Sequence, residues 1–336
     1  MSETTYDTSA NFRQTIQESL TSFVKARTTT LLFINLAIMI VLSILAPQFL
    51  SPKNLSAVVT GMSYDVLMAI GMTLVLILGG IDLSVGSVLA LAGVVTTMLI
   101  SGKSGVGLPV PVAIVIGLGV AMLCGAANGF AVARLKIAPF IVTLSMMTIA
   151  RGLATVLTSG WFVADLPEIY LTIGQGTLLG IPYPVIFAVL ITVVMYYLLK
   201  NWKPLEQIFY IGTNPAAASL SGMPVVLATF SGYVLSSLLA GTAAIFMTSR
   251  LAMGFFQFGL FAELNAIAAA VIGGASFAGG RGNVFGTFLG VLMLAVIRNG
   301  FVLLKGSPNW QGVVSGAIVV LAIALDGYRR RHETRE

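Results

Sequence analysis

Leu78-Gly79-Gly80-Ile81-Asp82-Leu83-Ser84-Val85-Gly86-Ser87 separates one apolar run, residues 56–79, from the next, residues 83–100. Runs this long, joined by so short a turn, read as membrane helices rather than strands. A glycine pair interrupts helical hydrogen bonding, and irregular backbone at membrane depth is tolerated only inside protein or beside a cavity. A second stretch reads alike: Ile272-Gly273-Gly274-Ala275-Ser276-Phe277-Ala278-Gly279-Gly280-Arg281-Gly282 joins the apolar runs 265–279 and 285–304. Both are glycine-rich breaks between apolar segments, and both are expected to face the cytoplasm. Such a pair predicts a same-sense repeat of the kind transporters contain.

The rest of the chain has the same character. Of its 336 residues, 57% are hydrophobic and 9% charged, and the mean hydropathy is +0.98. A soluble domain carries roughly 25% charged residues, so this chain cannot keep a surface wet. The apolar/polar alternation of an outer-membrane barrel is absent. Ten apolar segments can be counted: 30–47, 56–79, 83–100, 109–133, 139–158, 183–200, 225–248, 265–279, 285–304 and 310–327. The eighth is too short to cross comfortably and predicts a partial or re-entrant helix. The expected fold is an all-α membrane protein of about ten transmembrane helices with both termini cytoplasmic.

Charge supplies the direction. With the N-terminus inside, twelve basic residues are cytoplasmic, among them Arg134, Lys136, Lys200, Lys203 and the run Arg329-Arg330-Arg331. Four (Lys53, Lys103, Arg250 and Lys305) are external, and Arg151 and Arg298 fall inside spans. That bias obeys the positive-inside rule and favours an even number of crossings. The basic residues are scattered among loops, so the net charge of +6 is no nucleic-acid footprint. Residues 1–28 are too long and too acidic for the n-region of a cleaved signal peptide. There Phe12, Ile16, Leu20 and Phe23 make an apolar stripe opposite Gln14, Glu18 and Lys25. The segment reads as an amphipathic helix on the cytoplasmic membrane face, the alternative being a disordered tail. Residues 29–328 then form the membrane domain and 329–336 a basic cytoplasmic tail.

Little in the sequence suits covalent chemistry. One cysteine, Cys124, and one histidine, His332, exclude a disulfide framework, a cysteine-based metal site and most acid–base schemes. Neither cofactor nor metal is expected. Ser101-Gly102-Lys103-Ser104 has Thr97 where a phosphate loop requires glycine, and it falls in an external loop. Asn54-Leu55-Ser56 matches a glycosylation sequon, for which chance is the better explanation. The doubled spacing Gly282, Gly286, Gly290 and the single copies Gly125/Gly129 and Gly312/Gly316 predict close helix packing.

Intramembrane polar groups are the candidates for function. Asp65 is placed to pair with Arg151 or Arg298. The neutral residues Asn128, Thr143, Ser145, Ser236, Asn265, Ser276 and Asn299 are candidates to line an aqueous path, and such groups suit a polyhydroxylated solute. An ion-coupled carrier would be expected to bury more carboxylates than Asp65. In the long cytoplasmic loop 200–224, Asn214 is placed to cap a short helix opened by Pro215 and ended by Gly222. That helix would present a small-residue surface to a cytoplasmic partner.

Four stretches, in order over residues 56–327, carry a resemblance. They are Gly79 to Ser87; Asn128-Gly129 leading to Pro139-Phe140-Ile141-Val142-Thr143-Leu144 and Thr148 to Gly152; Gly212-Thr213-Asn214-Pro215-Ala216-Ala217-Ala218-Ser219-Leu220-Ser221-Gly222; and Glu263 to Ala269 running into Gly273-Gly274, Gly279-Gly280 and Gly286-Thr287. In these the chain resembles the permease subunits of bacterial ABC importers for ribose and related monosaccharides. The resemblance implies a location in the inner membrane and a second permease chain, identical or paralogous. It also implies two cytoplasmic ATPase subunits (or one tandem ATPase) and a periplasmic sugar-binding protein. Residues 206–223 become the coupling loop, with Gly212, Asn214, Ala216, Ala217, Ser221 and Gly222 at the ATPase, while Arg151 and Asp82 become structural. The family usually has a second glycine where Thr213 stands, aspartate where Asn265 stands, a proline pair or similar at Ala138-Pro139, and glycine where Ser145 stands. Asn265 removes a charge at the mouth of the eighth span, so the sugar does not follow from the resemblance. The competing readings are a stand-alone secondary carrier or channel and, more remotely, a membrane-embedded enzyme.

Overall fold

The computed structural model describes residues 27–103 and 105–306, together with positions 313, 316, 317 and 320. The N-terminal stripe, nearly all of the tenth apolar segment and the basic tail lie outside the described residues. Among those described, the elements are α1 (Arg27–Leu45), a 3-10 turn (Pro47–Leu50), α2 (Pro52–Ile77), α3 (Val85–Ile100), α4 (Val110–Ala133), α5 (Pro139–Thr158), α6 (Glu168–Gln175), the two-residue strands β1 (Thr177–Leu178) and β2 (Ile181–Pro182), α7 (Tyr183–Asn201), α8 (Lys203–Thr213), α9 (Pro215–Leu220), α10 (Val225–Leu251), α11 (Ala262–Gly273) and α12 (Val284–Leu303). The chain is thus an all-α protein.

Nine of the ten apolar segments coincide with helices. Seven of these (α1, α2, α4, α5, α7, α10 and α12) are long and apolar enough to cross a membrane, while α3 and α11 are shorter apolar helices. The eighth segment, expected to be partial, is α11 of 12 residues. It starts at Ala262 and stops at Gly273, short of the 265–279 read from hydropathy. Gly274 adopts φ +117, and Gly274 N–H donates to Val271 O at 3.1 Å, which closes the last turn.

Enclosure is uneven. In its most apolar window α2 is 78% buried, whereas α5 is 17% buried. The centre is therefore α2, packed by α10, α11 and α12, with α4 against α10 and α3, and α1 leaning on α12. The outer helices turn large apolar side chains such as Val115, Leu123, Val156 and Val193 outward, as helices bathed in lipid must. Two of the small-residue spacings bring helices together, whereas Gly282 meets the Ile77 side chain and Gly312 lies outside the described residues. Gly125 and Gly129 sit against the α10 backbone at Tyr233 and Phe230, and Gly286 and Gly290 sit against the α11 backbone at Gly273 and Ala269. Without a Cβ at those positions, two backbones approach closely enough for dispersion to hold them in lipid.

The 159–182 segment carries α6 and the β1–β2 hairpin. Tyr170 anchors it. The side chain is fully buried, its hydroxyl lies 2.6 Å from Thr248 Oγ1, and Gly174 N–H donates to Ser249 Oγ at 2.7 Å.

Candidate functional site

The first break turns on Asp82, which has no exposed surface. Its Oδ1 accepts from Ser84 N–H at 3.0 Å and Ser84 Oγ at 2.6 Å, and its Oδ2 accepts from Ser236 Oγ of α10 at 3.0 Å. Asn128 Nδ2 of α4 donates to Ser84 Oγ at 2.9 Å, and Thr143 Oγ1 of α5 donates to Ile81 O at 3.2 Å. Three helices, the consecutive α4 and α5 and the distant α10, are thereby tied to one turn. A buried polar group with these partners is stabilising only while they are complete.

The second break meets the first. Gly280 N–H donates to Ile77 O at 2.8 Å, and a Cβ added to Gly279 would lie 3.1 Å from Gly79 Cα. The third participant is Gly212, near the end of α8. Its hydrogens face Ile77 O and Gly280 N, and a Cβ there would meet both. Gly79, Gly279 and Gly280 have positive φ of 79, 81 and 72, a region that glycine enters without strain. One backbone junction thus joins α2, α8 and the α11–α12 turn.

Beyond Gly212 the chain leaves the body. Asn214 Oδ1 accepts from Ala217 N–H at 3.0 Å and caps α9. Gly222, with φ +78, follows its end. Pro215, Ala216, Ala217, Ser219 and Ser221 are exposed, and Leu220 is 91% exposed. The same end of the bundle carries Arg134, Lys136, Lys200 and Lys203.

At the opposite end lies a groove of about 490 Å³ between α2 and α12, closed behind by α10, α11 and the 259–260 loop. Asp65 and Arg298 form an ion pair on its wall. Asn265, Asn299 and Tyr64 also line it. Asn299 and Asn54 exchange amide hydrogen bonds of 2.8 and 3.0 Å.

The polar residues singled out from the sequence are therefore distributed over four places. Asn265 and Asn299 share the outer groove. Asn128 and Thr143 are buried at the first break, as is Ser236, and Ser276 is buried in the second. Ser145 is exposed on α5 and donates to Ile141 O of its own helix at 2.8 Å. Asp65 pairs with Arg298 rather than Arg151. Arg151 Nη1 donates to Phe258 O at 2.7 Å and also to Phe256 O, holding the 252–261 loop against α5. Sequence reasoning missed α8, although Leu205, Ile208 and Ile211, buried along it, recur at helical spacing.

Seven helices long and apolar enough to cross a membrane, with two shorter apolar ones packed among them, define an integral membrane protein. Residues 54–323 match a family described as branched-chain amino acid transport system / permease component. The chain is 40% identical over 292 residues to the ribose import permease protein RbsC of Bacillus subtilis, covering 86% of this chain and 89% of that one. It is 36% identical over 301 residues to the RbsC of Haemophilus influenzae (88% and 92% covered). It is 33% identical over 295 residues to the D-allose transport system permease protein AlsC of Escherichia coli (88% and 90% covered). No solved structure matches the chain. The chain belongs to this family of transport-system permease components. It is a multi-pass protein of the bacterial inner membrane and a non-catalytic transport subunit, and membership implies ATPase and periplasmic binding-protein partners.

Proposed function

We propose that this chain is the membrane subunit of a binding-protein-dependent importer for a monosaccharide, ribose or a close relative, driven through α8 and α9. The substrate class rests on the curated relatives, whose names specify ribose and allose. The observation that carries the coupling reading is the placement of Gly212. It packs against both breaks, three residues before the start of the exposed helix that ends in Leu220. An apolar side chain left outside the body at the basic end suits a docking partner. Asn214, Ala216, Ala217, Ser221 and Gly222 form the coupling surface in this reading, and Gly212, expected at that surface, is instead buried behind it in the junction.

Two such chains, identical or paralogous, would share one pathway, with two ATPase subunits or one tandem ATPase below and a sugar-binding protein outside. Asn265 and Asn299 would line the outer part of the path. ATP binding closes the ATPase pair, α9 moves with it, and the glycine junction passes the displacement to α2 and α12. The two arrangements of the bundle then expose the path alternately.

Replacing Ala217 by glutamate places a charge on the exposed face of α9. ATP-driven uptake of ribose, arabinose or allose by the reconstituted importer should fall about tenfold or more, as when a charge is buried unpaired at an interface, while membrane insertion is retained. Uptake by the chain alone in liposomes, without ATPase, would overturn the importer reading.

A further inference from the structure

The outer groove holds more chemistry than its packing requires. Its α2 wall presents Ala57, Gly61, Asp65 and Met68, a single helical stripe, and its α12 wall presents Ala295, Arg298 and Asn299. Small residues keep the space open: a Cβ built on Gly61 meets nothing within 4 Å. A cavity of about 490 Å³ falls in the range of small-molecule sites, about 300–1,000 Å³.

The ion pair is not needed to join the two walls. On the outer side Asn54 and Asn299 already bridge α2 and α12 by two amide hydrogen bonds. Deeper in, Thr73 Oγ1 lies 2.8 Å from Thr287 Oγ1. A partly buried ion pair is often replaceable by apolar residues without loss of stability, so its presence between two neutral clasps calls for another role. The Asp65 side chain is 18% exposed and that of Arg298 30%, so both remain accessible from the groove. The Tyr64 side chain also lines it, and its buried hydroxyl meets no hydrogen-bond partner among the described residues.

We propose that Asp65 and Arg298, with Asn265, Asn299 and Tyr64, form a polyol subsite in the outer half of the pathway. The proposal rests on the importer reading above and adds the residues that contact the solute. A carboxylate accepts from two hydroxyls and a guanidinium fork donates to two oxygens, so vicinal hydroxyls of a sugar match the pair. The two amides both donate and accept, and the phenol hydroxyl completes an inventory suited to a neutral, polyhydroxylated ring. The ion pair itself keeps both charges partnered when no solute is present. That makes the subsite shallow, as a conduit must be if solute is to leave it.

The test uses the whole importer in proteoliposomes, with D-ribose, L-arabinose and D-allose as probes. Gly61→Leu adds bulk to the groove without a steric clash on the helix. It should leave insertion and thermal stability intact and lower uptake of every transported probe by about tenfold or more. The exchanged pair Asp65→Arg with Arg298→Asp preserves one ion pair but transposes donor and acceptor. It should keep stability near wild type and still transport about tenfold more slowly, with the loss concentrated in KM. Wild-type uptake by Gly61→Leu, or full recovery of uptake in the exchanged pair, would overturn the subsite and leave the importer reading standing. A wild-type importer that moves none of the three sugars would overturn both.

Discussion

Between Leu78 and Ser84 the chain turns around a buried carboxyl group; between Gly274 and Asn283 it turns on glycine backbone. The two stretches look alike in sequence and meet in space through Ile77 O and Gly280 N–H, yet they are held differently. Asp82 draws hydrogen bonds from its own turn and from α10, and its partner Ser84 is bonded by α4. The second turn has positive φ at three residues, Gly274, Gly279 and Gly280, against Gly79 alone in the first, and a closer approach to Gly212. Asn283 then restarts the chain as α12 by accepting from Phe285 and Gly286 N–H at 2.9 and 3.1 Å. A turn anchored from three sides by polar side chains resists displacement. A turn rich in glycine can pivot by small changes in φ and ψ at those residues. On this contrast the second break is expected to move more than the first when the path opens and closes.

Three substitutions test that division. The largest effect is expected from Asp82→Ala, which strands the donors of Ser84 and Ser236 in a buried site. At about 1 kcal/mol for each lost bond and more for each orphaned group, the loss is about 3 kcal/mol or greater, read as a lower thermal midpoint or a loss of folded protein from the membrane. Gly279→Ala follows. Its left-handed backbone costs an L-residue about 1–2 kcal/mol, and the added carbon presses on Gly212. Stability should fall by that amount or somewhat more, and uptake should fall further than stability explains. Asn283→Ala removes the cap of α12 and should cost about 1 kcal/mol, measured by the same melts, with uptake less affected than by Gly279→Ala. If Asp82→Ala melts no earlier than Asn283→Ala, the first break is not anchored by its carboxyl group. If Gly279→Ala transports at the wild-type rate, the second is not a moving part.

Much of this could be read in advance because it is local. Apolar runs long enough to cross lipid marked seven helices, and the shortness of the eighth segment pointed to α11. Asn214 followed by Pro215 located the start of α9, since a side-chain acceptor and a proline fit only the first turn of a helix. Pairing of Asp65 with an arginine was foreseeable because an unpaired charge in a span is costly, but the choice of Arg298 over Arg151 was not. Arg151 was instead taken by two carbonyl groups of the 252–261 loop, partners that carry no signature in the sequence. Asn128, Thr143, Asn265 and Asn299 looked equivalent as neutral polar residues in apolar runs. They separate into a buried clasp and an open groove only because α4 and α5 pack on the first break while α11 and α12 face α2.

Composition and hydrophobic pattern by themselves determined that this is an all-α membrane protein with interrupted helices, because lipid admits few alternatives for backbone polar groups. The tertiary structure alone decided that Gly79, Gly212, Gly279 and Gly280 form one junction, and that Asp65, Arg298, Asn265 and Asn299 share one groove. Each of those groupings draws residues from helices at opposite ends of the chain. Which helix faces which is set by how their surfaces pack, and no local pattern within either segment encodes its partner.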